Sequence, residues 1–218
     1  MKRACVGVAL LQSAAAWAGE AEWKDATARA QAALQRSDVE QALVQARRAL
    51  REAEGAFGAM HLNTASSLDA LGTALVMSGN NVEAEIYYRR AMVAYEKLAG
   101  ADNPATAIAL FNLGSVLTRR EVAGEAEQLN RRALAIFEKA YGENDRRTAA
   151  ALHGLGSALL AQGKLAPAEA YLRRALAAKR KLFGENSITT GHTVQNLALA
   201  LDHLGRKTEA AALREKAK

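Results

Sequence analysis

The sequence predicts an all-α protein, a right-handed α-solenoid of stacked antiparallel helix pairs. Of its 218 residues, 51 are Ala and 28 are Leu, both strong helix formers, whereas the β-branched and aromatic residues that favour strands are scarce. Only two prolines interrupt the chain, which leaves room for long helices. A 42-residue repeat runs through most of the sequence, and periods of this length are typical of solenoids.

The N-terminal segment, residues 1–18, is predicted to be a secretory signal peptide. Lys2 and Arg3 precede an uncharged stretch that begins at Ala4 and ends in Ala16-Trp17-Ala18, the small-residue pattern of a cleavage site. A membrane-spanning helix needs roughly 20 apolar residues, so this stretch is short for one. We expect cleavage near Ala18 and export to the bacterial periplasm or out of the cell. An apolar N-terminal helix of a cytosolic protein and an uncleaved anchor are the alternatives.

Cleavage would leave a mature chain without cysteine. Cys5 lies near the start of the uncharged stretch, too far from Ala18 for lipid attachment at the cleavage site. Disulfides and thiolate chemistry are then excluded. The basic residues fall from 29 to 27 against 23 acidic ones, so the net charge falls from +6 to +4. This mild excess does not indicate a nucleic-acid partner, and we expect no stable membrane insertion after cleavage.

The 42-residue repeat is visible at several positions of each unit. Glycines recur before each unit, a threonine follows six residues later, and a leucine with a small residue behind it comes next. These positions are Gly58, Gly100, Gly142 and Gly184; Thr64, Thr106, Thr148 and Thr190; and Leu71-Gly72, Leu113-Gly114, Leu155-Gly156 and Leu197-Ala198. Further alanines recur at Ala84, Ala126, Ala168 and Ala210, and at Ala91, Ala133, Ala175 and Ala217.

Each unit is predicted to contain two helices. Leu68, Leu71 and Leu75 have the spacing of an amphipathic helix with one buried stripe. A break follows at Ser78-Gly79-Asn80-Asn81, and similar breaks occur at Gln162-Gly163 and Leu204-Gly205. The second helix is predicted to begin near Glu83 and to place Ala84, Tyr87, Tyr88, Ala91 and Tyr95 on its inner face. We interpret the threonine after each loop as the N-cap of the next first helix.

Small residues are predicted to let the two helices of a unit approach closely. Gly72, Gly114, Gly156 and Ala198 are expected to face the alanines Ala84, Ala126, Ala168 and Ala210 of the second helix. We therefore expect Gly114→Leu or Ala126→Trp to destabilise the protein by overpacking.

The predicted domains follow from this register. Residues 22–57 form a degenerate capping repeat, in which Ala42 and Ala49 keep the register but Arg29 and Ala30 replace leucine and glycine. Residues 58–218 form the solenoid of four repeats, and the charged end Arg214-Glu215-Lys216-Ala217-Lys218 is its solvated C-terminal cap.

The sequence resembles the tetratricopeptide repeats, specifically the 42-residue variety of kinesin light chains. The resemblance covers residues 58–217 and rests on Asn112-Leu113-Gly114-Ser115-Val116-Leu117, on Glu125-Ala126-Glu127 with Arg131-Arg132-Ala133-Leu134, and on Tyr141-Gly142-Glu143-Asn144. The loop pair is Asn103-Pro104 where the family commonly has His-Pro, and Pro167 replaces an acidic residue. The resemblance implies a TPR superhelix that acts as a noncatalytic platform for peptide segments or whole partners.

The arginine pairs of the second helices have two interpretations. Arg89-Arg90, Arg131-Arg132 and Arg173-Arg174 could form a basic stripe for nucleic acid. Glutamates stand four residues before the first arginine of each pair, the favourable order for helical ion pairs, at Glu85, Glu127 and Glu169. We favour the ion-paired, solvated face and expect no nucleic-acid binding.

The sequence contains no recognised catalytic or cofactor motif, and we predict no cofactor and no metal site. Phosphate loops, H-E-x-x-H, G-x-S-x-G and paired cysteines are absent from it. His192 and His203 share a helix face but lie roughly 16 Å apart by helix rise, too far to share a metal. An enzyme organised around His153 by an unknown motif remains an alternative.

The first helices are expected to line the concave side of the solenoid and to carry the binding surface. Their residues away from the leucine and glycine stripe mix amides, hydroxyls and apolar groups, which suits an extended peptide. The predicted site residues are Asp69, Thr73, Met77, Ile108, Phe111, Asn112, Ser115, Arg119, His153, Ser157, His192, Gln195, Asn196, Leu199 and His203. Phe111 is singled out as an aromatic ring expected to face solvent. Self-association into a homo-oligomer is the alternative function.

Overall fold

The computed structural model describes the backbone of residues 2–216 and the side chains of residues 19–216. Within residues 2–216 the chain forms ten α-helices and no strand, so the predicted all-α class is confirmed. The helices are α1 (Lys2–Gln35), α2 (Val39–Phe57), α3 (Leu62–Met77), α4 (Asn81–Ala99), α5 (Pro104–Arg119), α6 (Ala123–Tyr141), α7 (Arg146–Ala161), α8 (Leu165–Phe183), α9 (Ile188–His203) and α10 (Lys207–Glu215).

The chain divides into two compact units, Met1–Ala101 with α1–α4 and Asp102–Lys218 with α5–α10. Within each unit, every helix packs against the next one in sequence. The first helices of successive pairs also pack on each other, α1 on α3 in one unit, and α5 on α7 and α7 on α9 in the other. Across the described residues of either unit, the second helices (α2, α4, α6, α8, α10) do not approach one another as closely. The first-helix face is therefore the inner side of each unit.

A leucine-rich stripe on each of the first helices α3, α5, α7 and α9 packs against alanines of the second helix. Leu68, Leu71 and Leu75 of α3 are buried, as predicted, and so are Ala84 and Ala91 of α4. The predicted inner face of α4 is too broad, because Tyr88 is buried but Tyr87 and Tyr95 are only half-buried. Helix α4 also begins at Asn81, with Asn80 as its N-cap, slightly earlier than the predicted Glu83.

The turn from a first to a second helix needs one residue in the left-handed backbone region. Gly79 and Gly163 fill this position at the predicted breaks, with φ of 83° and 71°. In two other repeats the position holds Ser37 and Glu121, with φ of 57° and 63°. A side chain in this conformation costs roughly 1 kcal/mol. The geometry of the turn is therefore common to these repeats, whereas the glycine is not.

The repeated threonines are not N-caps, so this prediction is wrong. The N-caps lie three residues earlier, at His61, Asn103, Asp145 and Ser187. Each threonine lies in the first helical turn and is fully buried. Three of them use the hydroxyl as a donor to the carbonyl of the glycine that ends the preceding helix: Thr64 to Gly58 at 2.7 Å, Thr148 to Gly142 at 2.8 Å and Thr190 to Gly184 at 2.9 Å. The threonine thus fixes the loop between two repeats.

The glycines of the first helices do face the second helix, as predicted, but their closest neighbours there are not the alanines. A Cβ at Gly72 would lie 2.7 Å from Tyr88, and one at Gly156 would lie 2.7 Å from Leu172. At Gly114 it would lie 2.7 Å from the Asn130 amide. The glycine therefore makes room for a larger residue one helical turn after the alanine.

The N-terminal pair α1 and α2 completes the first unit. Ala42 and Ala49 are buried in register with the later repeats, and Ala30 is buried where a glycine was expected. The Trp23 indole N–H donates to Ser67 at 2.9 Å, and its ring meets Phe57 edge-on. The side chains of the predicted signal peptide and residue Ala217 lie outside the described residues. None of the helices, searched over the described residues, combines the length and apolarity of a membrane span.

Candidate functional site

The residues predicted to form the binding surface all retain some exposure to solvent. Seven are exposed: Met77, Ile108, Arg119, His192, Gln195, Leu199 and His203. Eight are half-buried: Asp69, Thr73, Phe111, Asn112, Ser115, His153, Ser157 and Asn196. The set divides between the two units, and its members make different contacts in each unit.

In the first unit, the half-buried members interact with α4. The hydroxyl of Thr73 lies 3.1 Å from the Tyr88 hydroxyl and donates to the Asp69 carbonyl. Burial raises the pKa of Tyr95 to about 12, and the nearby charge of Asp69 adds to this effect. Thr73 and Asp69 therefore serve the contact between α3 and α4, which leaves Met77 as the exposed predicted member there.

Phe111 faces solvent only in part, whereas the sequence predicts a solvent-facing ring. Its ring is half-buried, and its Cε2 atom lies 3.2 Å from the position that a Cβ on Gly154 would take. The absence of a side chain at Gly154 lets the ring of α5 pack onto α7. Phe111 is thus in part a packing residue between two first helices, and truncating it would disturb the fold as well as the surface.

Four predicted residues come together in a cavity of about 500 Å³ in the second unit. They are Ser157, Asn196, Leu199 and His203, from the C-terminal halves of α7 and α9. We call this cavity the α7/α9 pocket. Its remaining lining residues are Thr118, Leu160, Ala161, Gly163 and Leu165.

The α7/α9 pocket has an apolar wall and a polar corner. Leu199 is 43% exposed, and Leu160 and Leu165 are half-buried beside it. In the polar corner, the amide of Asn196 donates to the Ser157 hydroxyl at 2.8 Å, which itself donates to the His153 carbonyl at 2.8 Å. The Asn196 amide oxygen takes no part in these bonds and can accept from a ligand N–H. This combination suits an apolar side chain attached to a polar main chain.

A second polar cluster, which we call the Lys179 cluster, lies one turn from the pocket along α7. Lys179 of α8 is 7% exposed, and its Nζ donates to the Thr193 hydroxyl at 2.9 Å and to the Thr189 carbonyl at 3.2 Å. The Thr193 hydroxyl also lies 3.1 Å from Nδ1 of His153. The cluster therefore joins α7, α8 and α9.

Both titratable groups of the cluster are shifted toward their neutral forms. Burial lowers the pKa of Lys179 to about 8. Burial also lowers the pKa of His153 to about 3, and the nearby charges of Lys179 and His192 act in the same direction. His153 is accordingly neutral at pH 7, and its imidazole can donate and accept hydrogen bonds.

Of the Lys179 cluster, His153 is predicted from the sequence, whereas Lys179 and Thr193 are not. The repeat contains a signal for them, because the equivalent positions one repeat earlier are Phe137 and Ala151. A lysine in the register of a buried phenylalanine is an anomaly. It is easily overlooked because lysine is common on exposed helix faces, where Lys181 lies.

The second helices carry a ladder of ion pairs, which confirms the predicted pairing of the arginines. Arg89 contacts Glu85 and Arg173 contacts Glu169, each at 2.8 Å, and Arg131 contacts Glu127. Other pairs join successive second helices: Arg47 to Glu83, Arg90 to Glu54, Arg174 to Glu138 and Arg173 to Glu209. Much of the positive charge of the arginine stripe is thereby compensated by carboxylates.

Glu127 is the most buried carboxylate of this ladder. It is 8% exposed and accepts hydrogen bonds from Lys164, Arg131 and Gln162, which lower its pKa to about 2. Its partners come from α6 itself and from the loop after α7, so it ties these two elements together. Nowhere in the described part of the chain do three or more His, Cys, Asp or Glu residues gather as metal ligands would.

Several solved structures share this helix arrangement. The nearly identical TPR-like repeats of a kinesin light chain from Podosopora anserina superpose with a TM-score of 0.72, at 20% identity, over 89% of this chain and 92% of that one. BtubC (BKLC) from P. vanneervenii gives 0.72 at 18% identity, over 94% and 89%. A Rap protein complexed with Competence and Sporulation Factor gives 0.68 at 17% identity, over 89% and 55%.

The family follows from the sequence profile of the repeat itself. No curated protein sequence matches this chain. The tetratricopeptide repeat profile matches residues 24–97, 78–139, 106–181 and 147–217. These matches include α2 and the last third of α1, from residue 24, so the same profile also covers the degenerate N-terminal repeat from that residue on. Together they span nearly the whole chain after the predicted signal peptide, and the protein belongs to the tetratricopeptide repeat family.

Proposed function

We propose that this protein is a noncatalytic scaffold of the bacterial cell envelope that binds a peptide segment of a partner protein on its first-helix face. The α7/α9 pocket carries the proposal, because it places an apolar wall beside a free amide oxygen. The fold supports it, since tetratricopeptide repeat proteins are generally noncatalytic scaffolds. A structural neighbour, the Rap protein, was solved in complex with Competence and Sporulation Factor.

The pocket can be tested without knowledge of the natural partner. A phage-displayed library of linear peptides is selected on the purified mature protein, and the enriched peptides are measured against two variants. Leu199→Asp places a charge on the apolar wall, so we expect it to weaken binding at least about tenfold. Ala170→Asp adds the same charge at an exposed position of α8 outside the pocket, and we expect it to leave binding unchanged.

Circular dichroism confirms that both variants are folded. Peptides that bind Leu199→Asp as tightly as the wild type would exclude the pocket as the binding site. The absence of any enriched peptide, combined with a homo-oligomer in light scattering, would favour self-association instead.

Export is a separate part of the proposal and rests on Lys2, Arg3 and the uncharged stretch that follows. We expect the full chain, fused to alkaline phosphatase in a bacterial host, to give periplasmic enzyme activity and a product shortened at Ala18. A fusion that lacks residues 1–18 should stay inactive in the cytoplasm. Equal activity of the two fusions would contradict export through this segment.

A further inference from the structure

We propose that the Lys179 cluster is a receptor for a carboxylate group, with Nε2 of His153 as the donor that meets it. This inference rests on the proposed function and names one chemical group that the bound peptide carries. The carboxylate is either an acidic side chain or the C-terminus of the peptide. Four features of the cluster support it: an uncompensated charge, a directed hydrogen-bond chain, access from the first-helix face, and a departure from the repeat.

The Lys179 ammonium is buried without a counter-ion. Its two hydrogen bonds go to neutral oxygens, those of Thr193 and Thr189. Among the side chains of residues 19–216, no carboxylate forms an ion pair with it. Burying a charge in this way is costly, and an anion that binds nearby recovers part of the cost. The folded protein therefore favours the binding of a negatively charged ligand near Lys179.

The hydrogen bonds direct the charge of Lys179 toward His153. The Lys179 ammonium group can only donate hydrogen bonds, so the Thr193 hydroxyl is the acceptor in the bond between them. That hydroxyl has one hydrogen, and we assign it to Nδ1 of His153 at 3.1 Å rather than to the Thr189 carbonyl at 3.3 Å, because this carbonyl already accepts a hydrogen bond from Lys179. Donation to Nδ1 selects the tautomer in which Nε2 carries the hydrogen. The chain of donors thus ends at an Nε2–H group, which has no partner among the described residues.

The donor end of the chain is reached from the first-helix face. His153 is half-buried, and the exposed His192 precedes Thr193 in α9. His192, when it is protonated, adds positive potential beside His153, in the sense that favours an anion. Ser157, one turn further along α7, lines the α7/α9 pocket. A peptide can therefore place its carboxylate at His153 and an apolar side chain in the pocket, roughly 6 Å away by helix rise.

The cluster is not required by the fold. The positions of His153, Lys179 and Thr193 correspond, one repeat earlier, to Phe111, Phe137 and Ala151. Phe137 and Ala151 are buried there, so the preceding repeat packs without a cation or a hydroxyl at these two sites. Three neighbouring positions thus carry a cation, a hydroxyl and an imidazole where the preceding repeat carries two phenylalanines and an alanine. A packing role does not explain this change, because the apolar set serves packing at lower cost.

The test follows the His153 ring nitrogens by NMR in histidine-labelled mature protein. Acetate and acetamide are the first probes, because they differ in charge but hardly in shape. Three blocked leucine-containing peptides follow: one with a glutamate and an amidated end, one with a free C-terminal carboxylate, and a neutral one with glutamine and an amidated end. We expect acetate to shift the Nε2 signal saturably and acetamide not to shift it. A carboxylate peptide should bind at least about tenfold more tightly than the neutral peptide.

Three variants decide whether the cluster is responsible. Lys179→Met and Thr193→Val should abolish the preference for acetate, because each breaks the chain of donors. Lys181→Met removes an exposed lysine from the same helix and should leave the preference intact. If Lys179→Met fails to fold, Thr193→Val and the wild-type comparison decide.

The outcomes separate this inference from the proposed function. An equal response to acetate and acetamide, or a carboxylate preference that survives both cluster variants, overturns the receptor. Peptides that need Leu199 but show no charge preference overturn the receptor and leave the groove function standing. A specific acetate response without binding of any of the peptides supports the receptor and counts against the peptide groove. The better of the two carboxylate peptides identifies the source of the group.

Discussion

Gly114→Leu is expected to lower the free energy of unfolding by about 3 kcal/mol, at the upper end of ordinary overpacking penalties. Even the first atom of the new side chain lies 2.7 Å from the Asn130 amide. Asn130 cannot move aside, because Gly154 of α7 confines it from the other side: a Cβ there would lie 2.7 Å from the Asn130 oxygen. The Asn130 side chain is fully buried and is held by a hydrogen bond to the Ala126 carbonyl.

The measurement is urea unfolding followed by circular dichroism, with glycine-to-alanine controls. Gly114→Ala should already be destabilising for the same reason. Gly55→Ala is the matched control, because Gly55 is exposed within α2 and a Cβ there meets nothing within 4 Å. Alanine is the better helix former, so this variant should be neutral or up to about 1 kcal/mol more stable. Equal stability of Gly114→Leu and the wild type would refute the packing of α5 on α6.

The protein is expected to lose about 2 kcal/mol of stability between pH 6.5 and pH 4.5 because of His153. The pKa of this histidine is lowered to about 3 in the folded state, against 6.5 for an ordinary histidine. Below pH 6.5 the unfolded chain therefore binds a proton that the folded chain does not bind. Stability is highest above pH 6.5 and falls as the pH decreases toward 3. Each pH unit over which the unfolded chain binds one more proton than the folded chain lowers the stability by about 1.4 kcal/mol. The imidazole of the unfolded chain is only partly protonated at the upper end of the window, so the loss over the two pH units is about 2 kcal/mol.

His153→Phe separates this effect from the other acid-sensitive groups. Phenylalanine stands at the equivalent position of the preceding repeat, Phe111, so the variant should fold. Its unfolding free energy, measured by urea at each pH, should be nearly constant from pH 6.5 to 4.5. The lowered pKa values of Glu127 and Glu169 contribute mainly below pH 4.5, where their carboxylates are protonated in the unfolded chain. An equally steep pH dependence in the variant would assign the effect to other groups.

The repeat pattern predicts the fold well because it is imposed by packing that each unit shares. Leu71, Leu113 and Leu155 are all buried, and the glycine that follows each of them faces the second helix. The same holds for the ion pairs, since a glutamate four residues before an arginine on a helix has one obvious partner. Such relations are local or repeat at the same spacing, so a single sequence contains them.

Other features depend on which atom meets which across a loop or between pairs. Thr148 has the residue type of an N-cap, but its buried position makes the hydroxyl a donor to Gly142. Glu121 adopts the left-handed backbone conformation that glycine has in other repeats, because the helices on either side impose it. Lys179 looks like an ordinary surface lysine, and only its burial between α8 and α9 gives it a role. Predicting these features requires the positions of neighbouring atoms, and the 42-residue period alone does not give them.

The ion pairs between second helices affect how a chain of these repeats can gain further repeats. The arginine of one repeat meets the glutamate of its neighbour at a separation of 36 residues, in Arg47–Glu83 as in Arg173–Glu209. A copy of the segment that carries both residues thus brings one half of a junction to each of its ends, whereas Pro167 removes the glutamate from one copy. Gene duplication of a single unit regenerates both halves, so the chain can gain or lose a unit without evolving a new interface.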